Sequence, residues 1–159
     1  MKSYYTVEEI VVIRKALKAE NKKVVFTNGC FDLIHAGHVD YLVKAKAFGD
    51  ILVVAVNSDE SIRRIKGNKR PITPLDERAF VLANLKAVDF VTVFEEDTPK
   101  EIISAIIPDV LVKGADWTID NIVGRDTVEK NGGEVKTIEF VNQQSTSNII
   151  KIITERYGS

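Results

Sequence analysis

Val24-Val25-Phe26-Thr27-Asn28-Gly29-Cys30-Phe31-Asp32-Leu33-Ile34-His35-Ala36-Gly37-His38 is the stretch whose reading decides the fold. Val24 to Phe26 is short, apolar and β-branched, the pattern of a parallel strand covered on both faces. Gly29 punctuates its end. Further on, Val39, Leu42, Val43 and Ala45 fall on one side and Lys44 and Lys46 on another, so a helix is expected from Ala36 to Phe48. The chain's only two histidines, His35 and His38, therefore stand at a strand-to-helix junction. A helix N-terminus offers backbone N–H groups and a positive dipole end to an anion. Gly37 removes a side chain where a phosphate has to approach, and the two imidazoles can add donors. Taken without context, His-x-Gly-His reads first as surface decoration; the strand before it, the helix after it and the glycines on both sides favour a site. A zinc pair is a further alternative, but no Cys, Asp or Glu cluster lies close by to complete a site.

Working outward, Thr6-Val7-Glu8-Glu9 has capping-box spacing and predicts a helix to Ala19. The first strand is expected over Lys23 to Asn28, and Gly49 stops the helix after it. Ile51 to Asn57 is a second continuous apolar strand, so the pair frames a βαβ unit. Ser58 to Ile72 is a polar connection, helical at most over Asp59 to Lys66, with a mobile loop at Gly67 to Pro71. Thr73-Pro74 and Thr98-Pro99 each read as N-cap and N1 of a helix, ending at Leu85 and Ile107. Strands are expected over Ala87 to Phe94, Val110 to Lys113 and Glu134 to Phe140, and a last helix from Ser145 to Arg156. One or two short helices fall between Asp116 and Lys130. Alternating strands and helices of this kind predict an α/β fold: a Rossmann-like, doubly wound sheet of five parallel strands.

The 159 residues are 45% hydrophobic and 28% charged, which suits one domain with a sizeable core. The expected organisation is a single domain over 1–159, with residues 1–22 as a helical N-terminal extension. A net charge of −1 argues against nucleic acid or an anionic membrane as partner, so any phosphate site is local. A single cysteine, Cys30, excludes an internal disulfide and suits the cytoplasm. The first residues lack the apolar core of a signal peptide, and no run of apolar residues is long enough to span a membrane.

Ligands of such a sheet bind at the C-terminal strand edges. The segments leaving those edges, Asn28–His38, Asn57–Arg70, Phe94–Thr98, Lys113–Trp117 and Val141–Ser147, carry most of the unusual residues. Asp32 is either a turn residue or an acceptor for a substrate hydroxyl. The cations from Arg63 to Arg70 are a solvated face or a clamp for an anion, with Lys66 and Arg70 the stronger candidates. Lys46 lies eight residues past His38, roughly 12 Å along a helix, too far for the same phosphate. Arg78 in the first turn of its helix opposes the dipole, which implies a partner anion or an ion pair with Asp76 or Asp89. Asp116 is a turn cap or a ligand for a sugar hydroxyl. Ser145-Thr146-Ser147 is a hydroxyl-rich helix start, a second phosphate cradle or a redundant cap. Neither Gly-x-Gly-x-x-Gly nor a Walker loop is present.

The string Gly29-Cys30-Phe31-Asp32-Leu33-Ile34-His35-Ala36-Gly37-His38 resembles the His-x-Gly-His signature of the cytidylyltransferase-like nucleotidyltransferases. Val56-Asn57-Ser58-Asp59, Lys66-Gly67 with Arg70-Pro71, Glu95 to Pro99, Pro108 to Gly114 and Ser145 to Ile150 resemble one branch of it. That branch is the D-glycero-D-manno-heptose 1-phosphate adenylyltransferases, found alone or joined to a sugar kinase. The resemblance implies transfer of AMP from ATP to a heptose 1-phosphate, with Mg²⁺ carried on the triphosphate rather than in a protein metal site. It implies His35, His38 and Lys66 as catalytic residues. Asn28, Gly29, Cys30, Phe31, Gly37, Arg70, Asp116, Ser145, Thr146 and Ser147 would bind the nucleotide, and Asp32, Asn57 and Lys113 the sugar phosphate. Expected partners are these small molecules, a separate upstream kinase and, as an allowed assembly, a second copy in a homodimer. The related glycerol-3-phosphate cytidylyltransferases carry Arg-Thr-Glu-Gly-Ile-Ser-Thr-Thr where this chain has Phe140 to Ser147. The absent arginine favours ATP over CTP. The other alternative is a non-catalytic nucleotide-binding domain of the same fold.

Overall fold

The computed structural model describes residues 3–115, 117–139 and 145–158. Five parallel strands, β1 (Val24–Gly29), β2 (Ile51–Asn57), β3 (Phe90–Phe94), β4 (Val110–Gly114) and β5 (Glu134–Ile138), form one sheet in the order β3-β2-β1-β4-β5. The chain builds outward from β1 in one direction, then returns to β1's other side with β4. The doubly wound architecture expected from the sequence is thus present, and its switch point lies between β1 and β4.

Helices α1 (Val7–Ala19), α5 (Lys100–Ile106) and α6 (Arg125–Lys130) cover one face. Val24, Phe26, Val53, Ala55 and Leu111 point into that layer. Helices α2 (Ala36–Lys46) and α4 (Leu75–Ala83) cover the other, over Val25, Leu52, Val54, Val56 and Val112. The period-two alternation along β1 and β2 feeds both layers, which is why these strands read as continuous apolar runs. Helix α1 starts at the Thr6 capping box: Glu9 N–H donates to Thr6 Oγ1 at 3.2 Å, and Thr6 N–H to Glu9 Oε2 at 2.6 Å. It buries Ile10, and Arg14 donates to Asp109 Oδ1 at 2.8 Å. Asp109 Oδ2 in turn accepts from Val24 N–H at 2.7 Å, so α1 is tied to the entry of β1. Gly49 closes the α2–β2 connection, where an added Cβ would meet Val25 Cγ2 at 2.7 Å and Lys23 O at 2.8 Å.

Several boundaries differ from the sequence expectation. Asp59–Lys66 is a full helix, α3, not a single turn, because Ser58 Oγ caps Ser61 N–H at 3.1 Å and the first turn is acidic. Helix α4 begins one residue later than expected: Pro74, not Thr73, is its N-cap, and Thr73 N–H is engaged by Asp32. Helix α5 likewise starts after Pro99 rather than Thr98. Strand β3 begins at Phe90, since a turn precedes it: Leu85 N–H donates to Leu82 O of α4 and Val88 N–H to Leu85 O. Strand β5 ends at Ile138, and Phe140, its expected end, lies outside the described residues. The last helix, α7, spans Thr146–Tyr157.

Candidate active site

Pairing between β1 and β4 stops at Phe26↔Leu111, while β1 stays paired to β2 as far as Gly29↔Val56. β4 stays paired to β5 as far as Gly114↔Ile138. The two central strands therefore part at their C-terminal ends, and a cavity of about 560 Å³ opens there. Among the described residues, its wall carries the cations Lys66, Arg70 and Lys113 against one carboxylate, Asp32. A chain with net charge −1 thus concentrates positive charge at this opening.

The β1–α2 turn places both histidines in the wall. Phe31 and Leu33 hold φ of 47°, a left-handed conformation that costs a β-carbon-bearing residue about 1–2 kcal/mol each. Phe31 is nevertheless buried, its ring lying 5.5 Å from that of His38. His35 is the N-cap of α2. Its Nδ1 accepts from Gly37 N–H at 3.2 Å, and His38 Nδ1 accepts from His35 N–H at 3.4 Å. The rings stack at 4.0 Å between centroids. This geometry corrects one expectation. Gly37, expected as the bare point where a phosphate approaches, is buried outside the cavity wall, and its N–H donates to His35 Nδ1. What the turn presents instead is two imidazoles whose Nδ1 atoms are acceptors, leaving the proton and the donor function to Nε2. Burial, then the neighbouring His35, outweighs Asp32 and pushes His38 down to about 4, and burial lowers His35 as well. Both rings are therefore neutral donors at pH 7.

Asp32 takes a different part from the one expected. Its side chain is 0% exposed and its oxygens are filled by Arg70 Nε at 2.6 Å, Thr73 N–H at 3.0 Å and Ile72 N–H at 3.0 Å. Burial alone would raise its pKa, but the bonds from Thr73, Ile72 and Arg70 hold the carboxyl below its usual range. So Asp32 anchors the segment Arg70–Thr73 rather than waiting for a substrate hydroxyl. The loop expected to be mobile is pinned at that end. Gly67, with φ of 93°, ends α3 and turns the chain into the loop, and Lys66 is the last residue of the helix, still on the wall. Arg70 also lines the wall, but as the partner of Asp32.

Arg78 meets neither an outside anion nor Asp76 or Asp89, the alternatives its sequence position offers. It is 1% exposed, and its guanidinium donates to Cys30 O at 2.6 Å, Asn57 O at 3.0 Å, Asp59 Oδ1 at 2.6 Å and Thr73 O at 3.0 Å. One fork thus ties together the β1–α2 turn, the end of β2, the start of α3 and the approach to α4. A cation in a first helical turn is the signal, but only the fold shows which four segments converge on it. Asn57, expected at the sugar phosphate, is also inside the frame. It is buried off the cavity wall, and its Nδ2 donates to Ser61 Oγ at 3.0 Å.

Asn28, Gly29, Cys30 and Phe31 line the cavity from β1. Burial raises the Cys30 thiol despite Lys66, Arg78 and Arg70 nearby, so it is a neutral wall atom. Ser145, Thr146 and Ser147 line it from α7: Ser145 Oγ caps Asn148 N–H at 3.1 Å, and Thr146 Oγ1 donates to Asp32 O. That second bond fastens α7 to the β1–α2 turn. Lys113 and Trp117 line it from β4. Asp116 lies outside the described residues. Lys46, set aside on distance, pairs with Asp89 and the Asp50 carbonyl. No described helix is long and apolar enough to cross a membrane.

Residues 26–152 match the family model described as cytidylyltransferase-like. The "Bifunctional protein HldE" of Geobacter sulfurreducens is 57% identical over 143 residues, which is 90% of this chain and 29% of that protein. The chain thus spans about a third or less of the curated relatives it matches. The crystal structure of the lipopolysaccharide core biosynthesis protein from Thermoplasma volcanium superposes with a TM-score of 0.62 at 29% identity, covering 77% of this chain and 99% of that one. A pantoate-β-alanine ligase from Francisella tularensis shares the fold alone, with a TM-score of 0.62 at 15% identity over 97% of this chain and 77% of that one. By its match to that family model over most of its length and by its identity to these relatives, the chain belongs to the cytidylyltransferase-like family.

Proposed function

We propose that this chain transfers AMP from ATP to a heptose 1-phosphate, giving an ADP-sugar and pyrophosphate. The observation that carries the reading is the histidine pair: two neutral imidazoles, each with Nδ1 engaged by backbone N–H, in the wall of a cavity with three cations. A phosphate oxygen of the sugar phosphate is already ionised at neutral pH and needs no general base. It attacks the α-phosphorus of ATP and forms the new P–O bond. The bond from that phosphorus to the α,β-bridging oxygen breaks, and pyrophosphate carries off the electron pair. Negative charge shifts onto the non-bridging α-oxygens and the leaving group, and fixed donors stabilise it there without reorganising. His35 and His38 supply Nε2–H donors, Lys66 a cation, and Ser145 and Ser147 hydroxyls at the start of α7. Mg²⁺ enters as part of the substrate, bound to the triphosphate. The heptose reading is supported by the likeness to the heptose 1-phosphate adenylyltransferases in the motif segments quoted above, and the name of the relatives, "Bifunctional protein HldE", fits a companion activity in those proteins.

Pyrophosphate release measured across nucleoside triphosphates and sugar 1-phosphates tests this. A higher kcat/KM with ATP than with CTP, and with heptose 1-phosphate than with other sugar phosphates, is expected. Equal or better turnover with CTP and glycerol 3-phosphate would replace it with the cytidylyltransferase reading.

A further inference from the structure

Trp117 is the chain's single tryptophan, and it takes no part in the phosphate chemistry of the histidine turn. It stands just past the end of β4, 48% exposed, and lines the cavity. Lys113 Nζ lies 6.0 Å from the centre of its ring, at the outer reach of a cation–π contact. The phosphate-directed groups His35, His38 and Lys66 come from the β1–α2 turn and the end of α3. Trp117 comes from β4, across the gap where β1 and β4 part. A nucleoside triphosphate is divided the same way. One end is a polyanion that needs cations and N–H donors. The other is a flat ring that water solvates poorly and an indole face covers well. A sugar phosphate brings no such ring.

We infer that Trp117 is the platform on which the nucleobase of the triphosphate stacks. The inference rests on the reading that this cavity takes a nucleoside triphosphate. Stacking tolerates any base, since each has a π-face. Trp117 therefore supplies affinity for the base end of the nucleotide, and discrimination between adenine and cytosine falls to other groups.

As the single tryptophan, Trp117 reports its own occupancy. The purified chain is titrated separately with ATP, adenosine, inorganic tripolyphosphate and a heptose 1-phosphate while tryptophan emission is monitored. ATP and adenosine should quench it, and tripolyphosphate and the sugar phosphate should not. Trp117→Ala should raise the KM for ATP about five- to 150-fold, the size of one lost base–aromatic stack. The KM for the sugar phosphate should stay put, and Trp117→Phe should recover most of the loss. Emission that answers to the sugar phosphate and not to adenosine overturns the inference. So does a KM for ATP in Trp117→Ala within twofold of the parent. Binding needs no turnover, so the two readings fail separately. Quenching by adenosine with no pyrophosphate released from any sugar phosphate keeps the base platform and removes the transferase proposal.

Discussion

Replacing Asp32 by asparagine removes one charge and keeps the shape, and the site geometry sets the consequence. In the parent, a fully buried carboxylate accepts from Arg70 Nε at 2.6 Å and from two backbone N–H groups at 3.0 Å. Asparagine keeps one oxygen, enough for the Ile72 and Thr73 donors. Its amide nitrogen then faces Arg70, donor against donor, and the guanidinium, 15% exposed, loses its counter-charge. Breaking such a buried pair from one side costs about 3–5 kcal/mol. At about 2–4 °C per kcal/mol for a domain of this size, the melting temperature should fall by roughly 6–20 °C. Thermal unfolding monitored by circular dichroism at pH 7 measures it. The pH dependence has a definite sign. The folded state holds the Asp32 carboxyl below its ordinary value of 3.8, so its contribution is full above that pH and fades as pH falls from there through the lower folded-state value. The two proteins should converge in stability toward low pH. A drop of under 3 °C at pH 7 would show that Asp32 does not anchor the Arg70–Thr73 segment.

His38→Ala should cut pyrophosphate release by about 10²-fold or more, the scale of one lost transition-state donor, with the circular dichroism spectrum unchanged; unchanged turnover would remove the histidine turn from the mechanism. The folded protein holds His38 near 4 against an ordinary 6.5, so the unfolded chain binds the extra proton between those values and stability should rise with pH across that window, by up to about 3 kcal/mol. Urea unfolding of the parent and His38→Gln at pH 4.5 and 7 checks this, and identical pH slopes in the two would contradict the depressed value. Lys66→Ala should lower kcat/KM strongly while shifting the melting temperature by less than about 2 °C, since an exposed lysine contributes little to folding. Normal kinetics there would return Lys66 to a merely solvated face.

The fold is legible in the sequence because β1 and β2 are apolar on both faces and the α2 pattern has the helical period. Both signals are local. The histidine turn is legible for the same reason, being one continuous stretch. What the sequence hides is long-range. Nothing in the string pairs Asp32 with Arg70, or Arg78 with Cys30, Asn57, Asp59 and Thr73, because those partners meet only after β1, β2, α3 and α4 are assembled. Thr73 reads as a cap because Thr-Pro usually is one; a buried carboxylate 41 residues away claims its N–H instead. The start of α2 reads as a set of free N–H groups, whereas His35 caps its own helix and substitutes ring donors for backbone ones. The sequence puts Trp117 at the end of the segment leaving β4, and its place on the cavity wall is what gives the indole a use.

The central claim is that this chain moves a nucleotidyl group through the histidine turn, and the fate of the phosphorus of ATP tests it most directly. The purified chain is incubated with a heptose 1-phosphate and ATP labelled either on the α- or on the γ-phosphorus, beside the His38→Ala variant. The account predicts α-label in the ADP-sugar, γ-label in pyrophosphate, and neither product at an appreciable rate in the variant. Label from the γ-phosphorus on the sugar, or as free orthophosphate with no sugar nucleotide formed, would contradict it.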